Sequence, residues 1–151
     1  IGRFKVPSVS QGQSPAFIPN KAMRIIDGSD VTIIATGTLV SRAVAAAAQL
    51  KAEGISARVI NLSTVSPLDT AEILAAAKET KAIITAEESV TRGGVGGAVA
   101  EFVVQNHPIP MKLMGIDSFA PTGSATFLLE HFGLTADSIV ASARELLKHG
   151  K

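Results

Sequence analysis

Short apolar runs of strand length alternate along the chain with longer segments in which apolar residues recur every three or four positions. The run Val31–Ala35 is continuous and rich in β-branched residues, as expected of a strand that is covered on both faces. The next segment keeps helical spacing up to Leu50, and Gly54 stands where such a helix is expected to stop. A strand followed by a helix of this kind is the repeating unit of parallel α/β proteins.

The same alternation continues along the rest of the chain. Further helices are predicted after Asp69, which with Glu72 resembles a capping box, after a glycine-rich turn, and after Thr135. Because right-handed crossovers join such strands, the pattern predicts a doubly wound α/β domain of about five mainly parallel strands with helices on both faces. The predicted strands are Ala22–Ile26, Val31–Ala35, Ala57–Leu62, Ala82–Ala86 and Lys112–Ile116.

The first twenty residues differ from this pattern. Residues 1–20 hold three of the seven prolines together with Ser, Gln and Gly, a composition typical of an extended arm or linker. We therefore predict that the globular domain spans residues 21–151, a length that suits one hydrophobic core. The chain begins with Ile1 instead of Met, so we expect a fragment or a processed piece of a longer protein.

Composition narrows the classes of function. A net charge of +1 is too small for the basic surface that nucleic-acid binding needs, and the six Phe are the only aromatic residues. The apolar runs are far shorter than the roughly 18 residues of a membrane span, so no membrane association is expected. The absence of Cys excludes thiolate catalysis and disulfides, and we expect a cytoplasmic protein.

Ligands of such sheets bind beyond the carboxyl ends of the strands, which directs the search for a site to the loops that follow them. Gly93, Gly94 and Gly96 precede a predicted helix whose backbone amides could receive a phosphate or a carboxylate. The spacing matches the dinucleotide-binding pattern only in part, since Val99 stands at its third glycine. A close helix–sheet contact or a subunit contact through bare backbone is therefore favoured over nucleotide binding. The loops in question are residues 36–41, 63–69, 87–97 and 117–124.

Several side chains in these loops could have either a catalytic or a structural role. Glu87 and Glu88 could form an acid–base pair, but neighbours on a strand end point to opposite sides, so capping or a salt bridge with Arg92 is favoured. Thr38 and Ser41 lack the surroundings of a nucleophilic serine, and helix capping is their expected role. We predict no catalytic residue and no metal ligand. Possible anion binding or subunit contact is assigned to Thr36, Gly37, Thr38, Ser41, Glu87, Gly93, Gly94 and Gly96.

The phenylalanines also need a structural role. Four of them fall at positions with helical spacing or at strand ends, and core or interface packing is their simplest role. They are Phe102, Phe119, Phe127 and Phe132.

Several segments, in this order and spacing, resemble the C-terminal domain of transketolases, most closely the form in which the enzyme is split into two polypeptides. The resemblance extends from about Lys21 to Gly150. Ser66 and Ser89 depart from it, because relatives often have a basic residue at the position of Ser66 and His or Asn at the position of Ser89. These departures weaken any inference that a ligand contact of the family survives. The segments are Asp30–Gly37, Val59–Asp69, Glu87–Val99, Asp117–Phe119 and Glu130–Thr135.

The resemblance implies a three-layer α/β/α fold with a five-stranded mixed, mostly parallel sheet whose first strand is antiparallel. Proximity along the chain instead suggests that Ala22–Ile26 forms a hairpin with Val31–Ala35. The resemblance places this first strand beside Ala57–Leu62, and we adopt that arrangement.

The resemblance also implies an activity. Transketolases transfer a two-carbon ketol unit between sugar phosphates, in the pentose phosphate pathway, with thiamine diphosphate and a divalent cation. These cofactors bind the N-terminal and pyrimidine-binding portions, so this chain is expected to bind none, to be inactive alone, and to support assembly of the homodimer. The alternatives are the equivalent domain of a deoxyxylulose phosphate synthase or of a 2-oxo-acid dehydrogenase β subunit, and a regulatory module that binds a small anion at the carboxyl edge of the sheet.

Overall fold

The computed structural model describes residues 18–149, which form a five-stranded sheet between two layers of helices. The strands are β1 (Met23–Ile26), β2 (Val31–Ala35), β3 (Ala57–Asn61), β4 (Ile83–Val90) and β5 (Met111–Ile116). The helices are α1 (Leu39–Ala52), α2 (Thr70–Glu79), α3 (Val95–Asn106), α4 (Ala125–His131) and α5 (Ala136–His149). The strand order is β1-β3-β2-β4-β5, with β1 antiparallel to β3 and all other neighbours parallel. The fold implied by the resemblance is therefore confirmed.

The central strands are buried on both faces, which explains their unbroken apolar runs. Every residue of β2 is buried. Because side chains alternate along a strand, Ile33 faces the layer of α1 and α5, whereas Ile34 faces the layer of α2 and α3. Full burial of one such isoleucine contributes about 1.5–3 kcal/mol, so the two layers stabilise the sheet from both sides.

The first strand lies beside β3, so the hairpin that chain proximity suggests is wrong and the placement from the resemblance is correct. Met23 pairs with Asn61, the last residue of β3. The antiparallel strand β1 therefore begins at the edge of the sheet where the parallel strands end. We call this edge the carboxyl edge and the opposite one the amino edge.

A tight turn precedes β1. Pro19 and Asn20 occupy its centre, and the backbone N–H of Lys21 donates to the carbonyl oxygen of Ile18 at 3.1 Å. Asn20 has a φ of 63°, which the third position of such a turn requires. The rest of the predicted arm, residues 1–17, lies outside the described residues, and the domain boundary near Lys21 stays a prediction.

Asp69 connects the beginning of β1 to α2. Its carboxylate accepts hydrogen bonds from the backbone N–H groups of Ala22 at 3.0 Å and Glu72 at 3.4 Å, and the Lys21 ammonium lies 3.5 Å away. The predicted cap of α2 is thereby confirmed. The side chain of Glu72 does not complete the capping box; it accepts a hydrogen bond of 2.8 Å from Arg24 on β1.

Two elements differ from the sequence prediction. Strand β4 continues to Val90 instead of ending at Ala86, with an irregular register against β5 over these residues. Helix α4 is not predicted, although Ser124 caps it by accepting a hydrogen bond from the N–H of Phe127 at 3.2 Å. Gly133 follows its end with a φ of 64°. Within residues 18–149, every helix is too short or too polar to cross a lipid bilayer.

We predict that Asp69→Ala destabilises the chain and weakens its sensitivity to acid. Burial disfavours the charged carboxylate, but the amides of Ala22 and Glu72 and the charge of Lys21 outweigh burial and hold the pKa of Asp69 below its usual value of 3.8. A carboxyl group with a lowered pKa stabilises the folded state above its unfolded pKa, and this stabilisation is lost as pH falls through the folded pKa. In urea unfolding, the free energy of unfolding of Asp69→Ala should be about 1 kcal/mol lower at pH 7.

This difference between the two proteins should shrink as the pH is lowered below about 4. Asp117→Ala is the matched control, because Asp117 is an exposed aspartate at the same edge and its replacement should change stability by less than about 0.5 kcal/mol. A difference that grows on acidification contradicts the role given to Asp69.

Candidate functional site

Glu87 is buried, with 1% of its surface exposed, and its carboxylate lies against the N-terminus of α3. Its Oε2 accepts a hydrogen bond from the N–H of Val95 at 2.8 Å, and its Oε1 accepts one from the N–H of Gly96 at 2.7 Å. The Ser89 hydroxyl also donates to Oε2. These bonds satisfy amides that a helix leaves unpaired in its first turn, and the negative charge favours that end of the helix. The predicted capping role is confirmed; among the described residues, no ion pair joins Glu87 to Arg92.

Two glycines make room for this contact. A Cβ on Gly94 would overlap the carboxylate of Glu87. A Cβ on Gly96 would lie 2.6 Å from Thr85 Oγ1 and 2.9 Å from Leu113 Cγ, closer than real Cβ atoms approach such neighbours. Only glycine therefore lets α3 approach β4 and β5 so closely. The glycine run makes the close helix–sheet contact that the sequence favours over nucleotide binding.

The carboxylate of Glu87 limits what the N-terminus of α3 can bind. An external anion would have to displace it from the amides of Val95 and Gly96. Gly93 lies in the exposed turn before the helix, with a φ of 77°. Glu87, Gly94 and Gly96 thus form an internal contact, and anion binding at this turn stays a prediction.

The other predicted group lies at the turn from β2 to α1. Gly37 has a φ of 58°, a left-handed conformation that favours glycine. Thr38 stands at the N-cap position, but its hydroxyl has no hydrogen-bond partner among the described residues, so the predicted side-chain cap is wrong here. The Ser41 hydroxyl donates to the Thr38 carbonyl oxygen at 2.9 Å, and the N–H of Thr36 donates to the carbonyl oxygen of Ala86 at 3.2 Å. Anion binding or a subunit contact at this turn stays a prediction.

Glu87 and Glu88 point to opposite sides of β4, as predicted. Whereas Glu87 reaches α3, the exposed Glu88 lies near the turn of β2 and α1, where a Cβ on Gly37 would be 3.9 Å from its Oε2. Glu88 also lines an otherwise apolar cavity of about 180 Å³ beside Leu128 and Phe132. The two carboxylates therefore do not face each other. Within residues 18–149, no cluster of three or more His, Asp or Glu side chains could hold a metal ion.

The four phenylalanines considered from the sequence divide into two pairs. Phe102 and Phe132 pack against the two hydrophobic clusters that flank the sheet. Phe119 is fully exposed after β5, and Phe127 is 46% exposed in α4. Phe119 and Phe127 therefore do not pack in the core of this chain, and the interface role expected from the sequence stays a prediction for them.

We predict that Glu87→Ala lowers the free energy of unfolding by about 1–3 kcal/mol, because it leaves the amides of Val95 and Gly96 buried without partners. Chemical denaturation at pH 7 measures the change. The neighbouring Glu88→Ala is the matched control, since Glu88 is exposed and its loss should cost less than about 0.5 kcal/mol. Equal effects of the two substitutions would show that the contact with α3 does not determine stability.

Comparison with known proteins extends these observations. Residues 20–139 match the family model described as transketolase, C-terminal domain. A 6-deoxy-6-sulfo-D-fructose transketolase subunit from Clostridium sp. (strain MSTE9) is 42% identical over 135 residues, which are 89% of this chain and 42% of the relative. A 1-deoxy-D-xylulose-5-phosphate synthase from Heliobacterium modesticaldum is 44% identical over 121 residues, which are 79% of this chain and 19% of the synthase.

A solved structure shows the same fold. The chain of a split gene transketolase, described as an inactive beta4 tetramer, superimposes with a TM-score of 0.90 and is 37% identical, over 97% of this chain and 48% of that one. The chain thus spans less than half of the length of each of these relatives. Since the family model covers most of the sequence and the fold agrees with it, the chain belongs to the transketolase C-terminal domain family.

Proposed function

We propose that the chain is the C-terminal domain or subunit of a transketolase, which transfers a two-carbon ketol unit between sugar phosphates with thiamine diphosphate. In this proposal the N-terminal and pyrimidine-binding portions hold the cofactor and the divalent cation, and the present domain supports assembly of the homodimer. The observation that carries the proposal is the agreement in fold with a split transketolase over nearly the whole chain, at a TM-score of 0.90.

The glycine-rich N-terminus of α3 does not fit the diphosphate of the cofactor. A helix N-terminus that binds a phosphate offers it unoccupied backbone amides. At the glycine-rich N-terminus of α3, Glu87 already takes up the amides of Val95 and Gly96. Its negative charge would also repel a second anion at this short distance. These contacts support a division of labour in which other portions of the enzyme hold the cofactor.

Two further features of the proposal concern substrate and location. The name of the Clostridium relative gives 6-deoxy-6-sulfo-D-fructose for that protein, so we propose a sugar substrate with an anionic group without assigning it to the pentose phosphate pathway. The absence of Cys suits a reducing cytoplasm, where we propose that the enzyme works.

The competing candidate is the equivalent domain of a 1-deoxy-D-xylulose-5-phosphate synthase. The identity of 44% to one such synthase supports it. The matches to the split transketolase and to the sulfofructose transketolase subunit extend over 97% and 89% of this chain, against 79% for the synthase, and this favours a transketolase.

Isothermal titration calorimetry tests the division of labour. Thiamine diphosphate added to the 151-residue chain with magnesium should show no tight binding, because Glu87 occupies the amides at α3. A dissociation constant in the micromolar range would contradict the proposal.

Reconstitution tests the activity. The chain mixed with the N-terminal and pyrimidine-binding portions should transfer a ketol unit between sugar phosphates, and the chain alone should not. The same mixture is assayed for formation of 1-deoxy-D-xylulose 5-phosphate. Formation of that product without ketol transfer would favour the synthase.

A further inference from the structure

Exposed apolar side chains collect at one edge of the sheet. Among the described residues, six large hydrophobic side chains are exposed, and five of them lie at the carboxyl edge. The sixth, Val104, lies on α3. We call the five side chains at the carboxyl edge the apolar row: Ile18, Val65, Val90, Phe119 and Phe127.

The apolar row follows the order of the strands. Ile18 precedes β1, Val65 follows β3, Val90 ends β4, and Phe119 follows β5. Strands in a sheet lie about 4.8 Å apart, so the four spacings from β1 to β5 extend the row over roughly 19 Å. A row of this length suits contact with a protein surface better than with one small molecule.

The loops around Phe119 are poor in charge. Residues 117–127 are all exposed, and Asp117 is their only charged residue. Exposed aromatic residues with few charges are typical of the centre of a protein interface.

The amino edge carries two ion pairs that are formed within the chain. Lys81 Nζ lies 2.8 Å from Asp30 Oδ1, and Arg144 Nε donates to Glu53 at 2.8 Å. Because five of the six exposed large hydrophobic side chains of residues 18–149 lie at the carboxyl edge, that edge is the one that a partner would cover.

The direction of β1 indicates where a portion joined upstream of the domain would lie. Because β1 begins at the carboxyl edge, Ile18 lies at that edge, and a portion joined upstream of Ile18 would be joined at the apolar row. The bonds of Asp69 to Ala22 and Lys21 hold the beginning of β1 at that edge. The split transketolase chain has about half of its length outside the match, so a neighbouring portion of similar size exists in that relative.

We propose that the pyrimidine-binding portion of the transketolase docks on the apolar row, with Phe119 as the main anchor. The proposal rests on the proposed function and adds the surface through which this domain takes part in assembly. Phe119 is the anchor because it is fully exposed and has the largest apolar side chain type in the row.

Thiol labelling tests the docking surface, because the chain contains no Cys and an introduced one is unique. In Phe119→Cys, the rate of maleimide alkylation should fall about tenfold or more when the pyrimidine-binding portion is added, since an interface core excludes solvent. The matched control is Val104→Cys on α3, whose rate should not change. Equal rates of Phe119→Cys with and without the added portion, in a sample that contains the complex, would overturn the proposal.

Affinity gives a second measurement. Phe119→Ala should weaken binding of the pyrimidine-binding portion about 10- to 100-fold, as expected for an aromatic anchor, whereas Val104→Ala should leave it unchanged. Both residues are exposed, so neither substitution removes a core contact of the chain itself.

Analytical ultracentrifugation of the same samples separates the two proposals. If the complex forms and transfers ketol units while Phe119→Cys is alkylated as fast as in the free chain, the docking surface is wrong and the proposed function stands. If no complex forms, both are wrong. If labelling of Phe119→Cys slows with the concentration of the chain alone, a second copy covers the row, and the assignment to the pyrimidine-binding portion is overturned.

Discussion

Burial of a carboxylate is costly unless hydrogen-bond donors compensate its charge, and the residues around Glu87 provide such donors. The amides of Val95 and Gly96 reach the carboxylate only if α3 begins directly beyond the end of β4. That start requires glycine at Gly94 and Gly96, where any side chain would overlap Glu87 or the sheet. One charge therefore fixes the path from β4 to α3 and leaves the last residues of β4, up to Val90, at the surface of the carboxyl edge.

The resulting domain has a sheet with two unlike edges. At the amino edge, Lys81 forms an ion pair with Asp30 within the chain. The carboxyl edge holds the internally capped helix α3 and the apolar row, which includes Phe119. In many α/β proteins this edge binds a small ligand. Here Glu87 takes up the amides of Val95 and Gly96 at the N-terminus of α3, and we propose that this edge offers a surface for protein contact.

Much of the fold could be predicted from the sequence because the pattern of apolar residues is local. Strand β2 and the cap at Asp69 follow from spacing along the chain and are confirmed. The contact of Glu87 with Gly96 could not be predicted in detail, since the partners meet only after β4 turns into α3. The sequence does not predict the extension of β4, because Glu87 and Glu88 are polar. It does not predict α4 either, because this helix is short and largely exposed. Phe119 could not be distinguished from a core residue without the sheet in place.

The reversed first strand has a consequence for the path of the polypeptide. Helix α5 starts after Leu134, close to Glu88 at the carboxyl edge, and runs to the amino edge, where Arg144 bonds to Glu53. Ile18 and the end of α5 therefore lie on opposite sides of the domain. A fluorescent protein or an immobilising tether attached beyond α5 would be held away from the side on which Ile18 lies.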